Sequence, residues 1–153
     1  MEKQPINIGG IPAILWGPKT GRLFIAVHGD QAHKEDATIA ILAEDAARKG
    51  WQTLSFDLPE HGARKGQPRF CKPRECVEDL QAMLGYARSI SKDISLFGCS
   101  LGAYFAMLAY KDEPLGKALF LSPVVDMQSI IQNMMGWFGI SEEQLEREGA
   151  IAT

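Results

Sequence analysis

Short apolar runs alternate along this chain with longer stretches whose apolar positions recur at helical spacing. Residues 6–8, 11–16 and 23–27 are apolar runs of strand length. Gly9-Gly10 and Gly17-Pro18-Lys19-Thr20-Gly21 separate them as turns. Between Asp36 and Lys49 the period changes: Ile39, Leu42, Ala43 and Ala46 share one helical face, and Gly50 is a natural stop. Residues 51–56 return to a strand pattern that ends at Asp57. Residues 58–73 form a polar loop carrying Pro59, Gly62, Gly66, Pro68 and Pro73. Residues 74–89 predict a second amphipathic helix with Val77, Leu80, Met83, Leu84 and Ala87 on its apolar side. Residues 93–97 read as a buried strand, 103–110 as a buried helix and 118–121 as a further strand closed by Ser122-Pro123.

Strands alternating with helices predict an α/β fold, a mostly parallel sheet with helices on both faces. Ligands of such sheets sit at the carboxyl ends of the strands. The residues able to do chemistry cluster there: His28-Gly29-Asp30, Asp57, Ser100 and Ser122. Beyond them, Met127, Ile130, Ile131, Met134, Met135 and Phe138 recur at helical spacing, with Trp137 and Ile140 nearby. This stripe reads as core, or as a flexible Met-rich surface suited to variable apolar ligands. Residues 142–148 read as a helix, and 149–153 follow without a closing element. The chain contains no internal repeat and no low-complexity segment.

The sharpest local signal is Gly98-Cys99-Ser100-Leu101-Gly102, a G-x-S-x-G between the strand pattern of 93–97 and the helix pattern of 103–110. Strand, sharp turn and helix form the setting in which that pentapeptide acts as a nucleophile elbow. Gly98 and Gly102 lack side chains, so strand and helix can pass closely, which lifts the Ser100 hydroxyl above the sheet. The Leu101 N–H then lies at a helix N-terminus, where orphan donors and the dipole favour negative charge. The plainer alternative is an ordinary strand-to-helix turn holding a small serine.

Composition narrows the classes. The chain has 153 residues, enough for one domain with a core. Its net charge of −3 comes from interspersed acids and bases, with no basic patch for nucleic acid and no block of like charge. No apolar run reaches membrane-spanning length, and Met1-Glu2-Lys3-Gln4-Pro5 lacks a signal-peptide core. The three cysteines, Cys71, Cys76 and Cys99, have no metal-binding spacing. A reduced, cytoplasmic setting is the simplest expectation. No metal or organic cofactor is implied. Cys99 reads as a small buried residue beside the nucleophile position.

Four segments in order carry a resemblance to the α/β-hydrolase superfamily, in its esterase-like and serine-aminopeptidase-like branches. Ala26-Val27-His28-Gly29-Asp30 resembles the His-Gly motif ending the third strand. Asp57-Leu58-Pro59-Glu60-His61-Gly62 resembles the Asp-x-Pro-Gly-His-Gly after the fourth, with Glu60 in place of glycine. Gly98 to Gly102 is the elbow after the fifth, and 118–123 resembles the sixth strand. The likeness covers about residues 4–126. It implies Ser100 as nucleophile and an oxyanion hole from the backbone N–H groups of Asp30 and Leu101, with the Asp30 carboxylate pointing away. It also implies residues 1–126 as the N-terminal part of the hydrolase core, and 127–153 as the start of lid or cap helices.

The family's acid and histidine normally follow its seventh and eighth strands, which are missing here, and no histidine follows Ser100. Asp126 is a candidate acid; its other reading is a helix cap. His28 reads as a structural histidine of the oxyanion loop, His61 as too distant from Ser100, and His33 as solvated. A piece of a longer hydrolase and a naturally shortened relative are both expected forms, the first favoured. The implied function is a serine hydrolase of carboxylic esters, thioesters or peptides, with a small acyl or peptide substrate and neither nucleic acid nor membrane as partner. The alternative is a catalytically silent binding module. Self-association through a bare sheet edge and the apolar tail is a further expectation.

Overall fold

The computed structural model describes residues 1–121. Its elements are β1 (Lys3–Ile8), β2 (Ile11–Trp16), β3 (Arg22–Val27), α1 (Ala37–Arg48), β4 (Gln52–Phe56), α2 (Pro73–Ile90), β5 (Asp93–Cys99), α3 (Leu101–Tyr110) and β6 (Ala118–Leu121). One six-stranded sheet runs in the order β1-β2-β4-β3-β5-β6. β4, β3, β5 and β6 are parallel, whereas β1 and β2 form an antiparallel hairpin added at the β4 side. The mostly parallel sheet is therefore observed.

Several boundaries shift by one to three residues from the pattern in the sequence, and two of the shifts have plain physical reasons. β1 begins at Lys3 rather than Ile6, because its polar start pairs with β2 from Lys3 opposite Trp16 onward and stays exposed at the sheet edge. α3 begins at Leu101, directly after the serine, because the elbow leaves no residue for a looser turn. The segment 122–153, with Ser122, Asp126, the apolar stripe and the boundary at residue 126, lies outside the described residues.

β3 shows how the core is divided. Leu23, Ile25 and Val27 face one side and pack with α2 and α3, through Leu80, Met83, Leu84, Phe105 and Ala106. Phe24 and Ala26 face the other and pack with Ile39, Leu42, Ala43 and Ala46 of α1. The period of two in the strand and the helical spacing in α1 select these partners. Asp36 caps α1 by accepting the Ile39 N–H at 2.9 Å. Ser55 joins layers, accepting the Trp16 indole N–H and donating to the Lys34 carbonyl, both at 2.8 Å.

The long polar loop is held by charge as well as by the buried Leu58. A single turn of 3₁₀ helix, Gly62–Arg64, brings Arg64 inward. Its guanidinium meets Asp79 of α2 at 2.6 Å with both side chains almost fully buried, and it donates to the Asp57 carbonyl at 3.1 Å. Arg69 adds a second guanidinium at 2.8 Å from the other Asp79 oxygen. Removing one partner of a buried pair leaves the other charged and unpaired, so Asp79→Ala is expected to cost about 3–5 kcal/mol. Urea unfolding measures this, and a loss below about 1 kcal/mol, the range of exposed pairs, would show the pair to be solvated.

Candidate functional site

β3, β4 and β5 end level with one another: Val27 pairs with both Phe56 and Gly98. His28, Asp57 and Cys99-Ser100 therefore leave the sheet at one edge. At Ser100 the chain reverses into α3 with φ +53° and ψ −116°, a left-handed conformation that is strained for a residue bearing a side chain. Ser100 is exposed. Its N–H donates to the Leu121 carbonyl at 2.8 Å, fastening the turn to β6, and its carbonyl accepts the Ala103 N–H at 3.0 Å. The Leu101 N–H is the first of α3 and has no acceptor within the helix.

The two glycines of the pentapeptide are explained by closeness. A Cβ on Gly98 would stand 2.7 Å from the Ala103 Cα, and one on Gly102 would stand 2.3 Å from the His28 carbonyl oxygen and 2.5 Å from that of Val27. The N-terminus of α3 is thus seated on the end of β3. Gly29 continues this contact, since its Cβ would lie 3.4 Å from the Ser100 Cβ. The turn that follows is closed by the Ala32 N–H donating to the Gly29 carbonyl at 3.2 Å, with Gln31 at φ +60°. Asp30 stands between them, at the rim of the elbow. Its carboxylate is largely exposed, 3.4 Å from His61 Nε2. The side chain points outward, as expected, and its neighbour is a histidine from the next strand's loop.

His28 is almost fully buried. Its Nε2 accepts the Leu58 N–H at 3.0 Å, which places its proton on Nδ1, 2.7 Å from the Gly29 carbonyl. Both nitrogens are engaged in tying the β3 turn to the β4 loop. Burial pushes its pKa down to about 4, the Gly29 carbonyl opposing and the nearby His61 adding to the shift. His61 is buried, with Nδ1 2.8 Å from the Pro59 carbonyl and its ring 5.0 Å from that of His28. His33 is exposed, its Nδ1 accepting the Glu35 N–H at 3.1 Å.

Asp57 is fully buried and organises the β4 loop. It accepts from the Lys34 N–H at 2.9 Å, Lys34 Nζ at 2.8 Å and the Ala63 N–H at 3.0 Å. Burial pushes the carboxyl up, but the Lys34 ammonium and these N–H donors outweigh it and hold the group below its ordinary value. Gly62 must be glycine, because it has φ +53° and a Cβ there would stand 2.3 Å from Asp57 Oδ1. Glu60, where the resembled motif has glycine, has φ +68°, and its carboxylate accepts the Cys71 N–H at 2.7 Å. The departure from the motif keeps the glycine-like backbone. Lys34 and Gln31 were not singled out in the sequence; a lysine in a polar turn carries no mark of the buried carboxylate it meets. Cys99 is buried as expected, and burial pushes its thiol up to about 11.

Among the described residues, no group of three or more His, Cys, Asp or Glu side chains could hold a metal ion, and no helix is long and apolar enough to cross a membrane. A cavity of 560 Å³ lies away from the elbow, between the outer face of α3 and β6, lined by Tyr104, Met107, Leu108 and Phe120 among others.

The architecture matches known hydrolases: the chain has the α/β-hydrolase fold. Est1E from Butyrivibrio proteoclasticus, solved with ferulic acid bound, is 25% identical with a TM-score of 0.66, over 76% of this chain and 51% of its own. A cold-adapted esterase from an Arctic intertidal metagenomic library is 21% identical with a TM-score of 0.61, over 77% and 58%. An esterase of Pyrococcus furiosus is 16% identical with a TM-score of 0.65, over 99% and 64%. The chain thus spans about half the length of the first of these. No family model matches the sequence, and no curated protein is significantly similar to it.

Two measurements test this geometry. The folded His28 pKa of about 4 lies below its ordinary 6.5. The unfolded chain therefore takes up the proton first, and stability is lost as pH falls from 6.5 towards 4. The loss is expected to reach about 3 kcal/mol. His28→Gln should be less stable at pH 7 and show a flatter pH dependence across that window in urea titrations; an unchanged slope would place the titration elsewhere. Ser100→Gly removes the side chain from a left-handed position and is expected to raise stability by about 1 kcal/mol. A fall in unfolding midpoint would show that the elbow is not strained.

Proposed function

We propose that this chain is the nucleophile-bearing part of a serine hydrolase acting on carboxylic esters through an acyl-Ser100 intermediate. The observation that carries the reading is the Ser100 backbone: an exposed serine held at φ +53° between a strand and a helix whose first N–H has no helical acceptor. In this reading the Ser100 oxygen attacks the ester carbonyl. The N–H groups of Leu101 and Asp30 receive the developing oxyanion, each such donor lowering the barrier by about 2.7–4 kcal/mol. The Asp30 carboxylate is turned towards His61 and solvent, which keeps its negative charge away from the oxyanion in this reading. Two of the similar structures are esterases, which favours esters over the thioesters and peptides that the same chemistry would also open.

The base is the demanding part. Serine needs one within about 2.6–3.2 Å to react at neutral pH. His28 has both nitrogens engaged with backbone groups, His61 faces Pro59 and Asp30, and His33 lies in the exposed turn. We assign the base to a histidine outside this sequence, in the part of the hydrolase fold that the chain does not span. The same engagement of all three histidines favours a second reading, a hydrolase fold with a silent serine that serves as a binding module.

Fluorophosphonate labelling of this chain together with the remainder of the hydrolase fold, followed by peptide mass mapping, separates the two. The hydrolase reading expects one adduct on Ser100, lost in Ser100→Ala. Hydrolysis of p-nitrophenyl acetate is expected to fall by at least about 10³-fold in the same variant. No adduct, or ester hydrolysis indifferent to Ser100→Ala, would leave the binding module as the reading that stands.

A further inference from the structure

Two thiols outside the elbow lie in contact. Cys71 ends the polar loop and Cys76 lies in the first turns of α2, and their sulfur atoms are 3.7 Å apart. Both are free thiols. Cys76 is fully buried and Cys71 only partly so, which leaves Cys71 the one a reagent reaches first. A disulfide bond is about 2.05 Å long, so closure requires the sulfurs to approach by about 1.7 Å. Cys76 cannot supply that movement: its N–H donates to the Lys72 carbonyl at 2.9 Å at the start of the helix, and its side chain is part of the core. Cys71 can, because it precedes the helix and Pro73. Its N–H is held by the Glu60 carboxylate at 2.7 Å, one residue before His61.

We propose that Cys71 and Cys76 form a reversible disulfide site that exchanges with low-molecular-weight disulfides, and that its closure is transmitted through the Glu60–Cys71 hydrogen bond to the loop carrying His61. The chemistry balances without a metal or cofactor. The Cys71 thiolate attacks one sulfur of the small disulfide, forms a mixed disulfide and releases the first small thiol. The Cys76 thiolate then attacks the Cys71 sulfur and releases the second. Two protein thiols are oxidised, one small disulfide is reduced to two thiols, and both protons end on those thiols at neutral pH. Burial raises both protein thiols above their ordinary value, so the reaction is expected to accelerate by about tenfold per pH unit through the mildly alkaline range. The site does not depend on Ser100 being a nucleophile.

The test treats the folded chain with hydroxyethyl disulfide, alkylates the remaining thiols and maps the peptides. The expected product has lost two hydrogens, retains no reagent, is alkylated only at Cys99, yields a linked Cys71–Cys76 peptide and reverts with dithiothreitol. Cys76→Ser, and Cys76→Ala as a variant that keeps the position apolar, should instead retain the mixed disulfide on Cys71. Wild-type protein that accumulates the same mixed disulfide, or a bridge to Cys99, would overturn the site. For the transmission, hydrogen exchange at the Cys71 amide is expected to change by at least about tenfold between the two redox states. An unchanged rate would show that closure stops at the helix.

Discussion

The close approach of α3 to the end of β3 is the constraint on which the rest of the site depends. It is a backbone-to-backbone contact, tolerating no Cβ at Gly102 against the Val27 and His28 carbonyls, and α3 sits as closely on β5, where a Cβ at Gly98 would meet Ala103. Because the helix is seated this closely, the residue before it has no room for a relaxed turn, and Ser100 takes the positive φ that lifts its hydroxyl clear of the sheet. The Ser100 N–H bond to the Leu121 carbonyl then fastens the same turn to β6. Packing, strain and exposure of the serine are consequences of one geometry.

Around that contact lies a second, polar structure built from β3 and β4. Asp57 gathers the Lys34 and Ala63 donors, Gly62 passes over its carboxylate, and His28 ties the Gly29 turn to Leu58. A buried carboxylate is tolerable only when its lone pairs are filled, and here a lysine and two backbone N–H groups fill them. The arrangement fixes the turn at residues 29–32, and with it the position of Asp30 beside the elbow. The Arg64–Asp79 pair extends the same logic outward, anchoring the loop to α2.

Much of this was legible in the sequence. Apolar periodicity located the described strands and α-helices, though not the 3₁₀ turn at Gly62–Arg64. The pentapeptide marked the tight strand-to-helix turn at Ser100, because its glycines answer a steric demand that no other residue meets. The departure at Glu60 was visible too, though its outcome was not: the left-handed backbone is kept at φ +68°, and the carboxylate finds the Cys71 N–H. What stayed hidden was pairing at a distance in sequence. Lys34 with Asp57, Arg64 with Asp79 and Cys71 with Cys76 join residues whose approach is set by how the loops cross. A polar turn or a lone thiol carries no periodic signal of such a partner.

The use of the histidines bears most directly on mechanism. A general base needs a nitrogen free to take a proton and a pKa near the working pH. His28 fails both requirements, with its nitrogens engaged by Gly29 and Leu58 and burial holding its pKa to about 4. His61 is buried, with its nitrogens turned to the Pro59 carbonyl and the Asp30 carboxylate and its ring 5.0 Å from that of His28. These rings do for the β3 and β4 turns what the glycines do for α3: they fix the course of the backbone. On the proposed reading the described residues thus supply the nucleophile and the oxyanion donors, groups that act by position. Proton transfer is left, on that reading, to a histidine other than these.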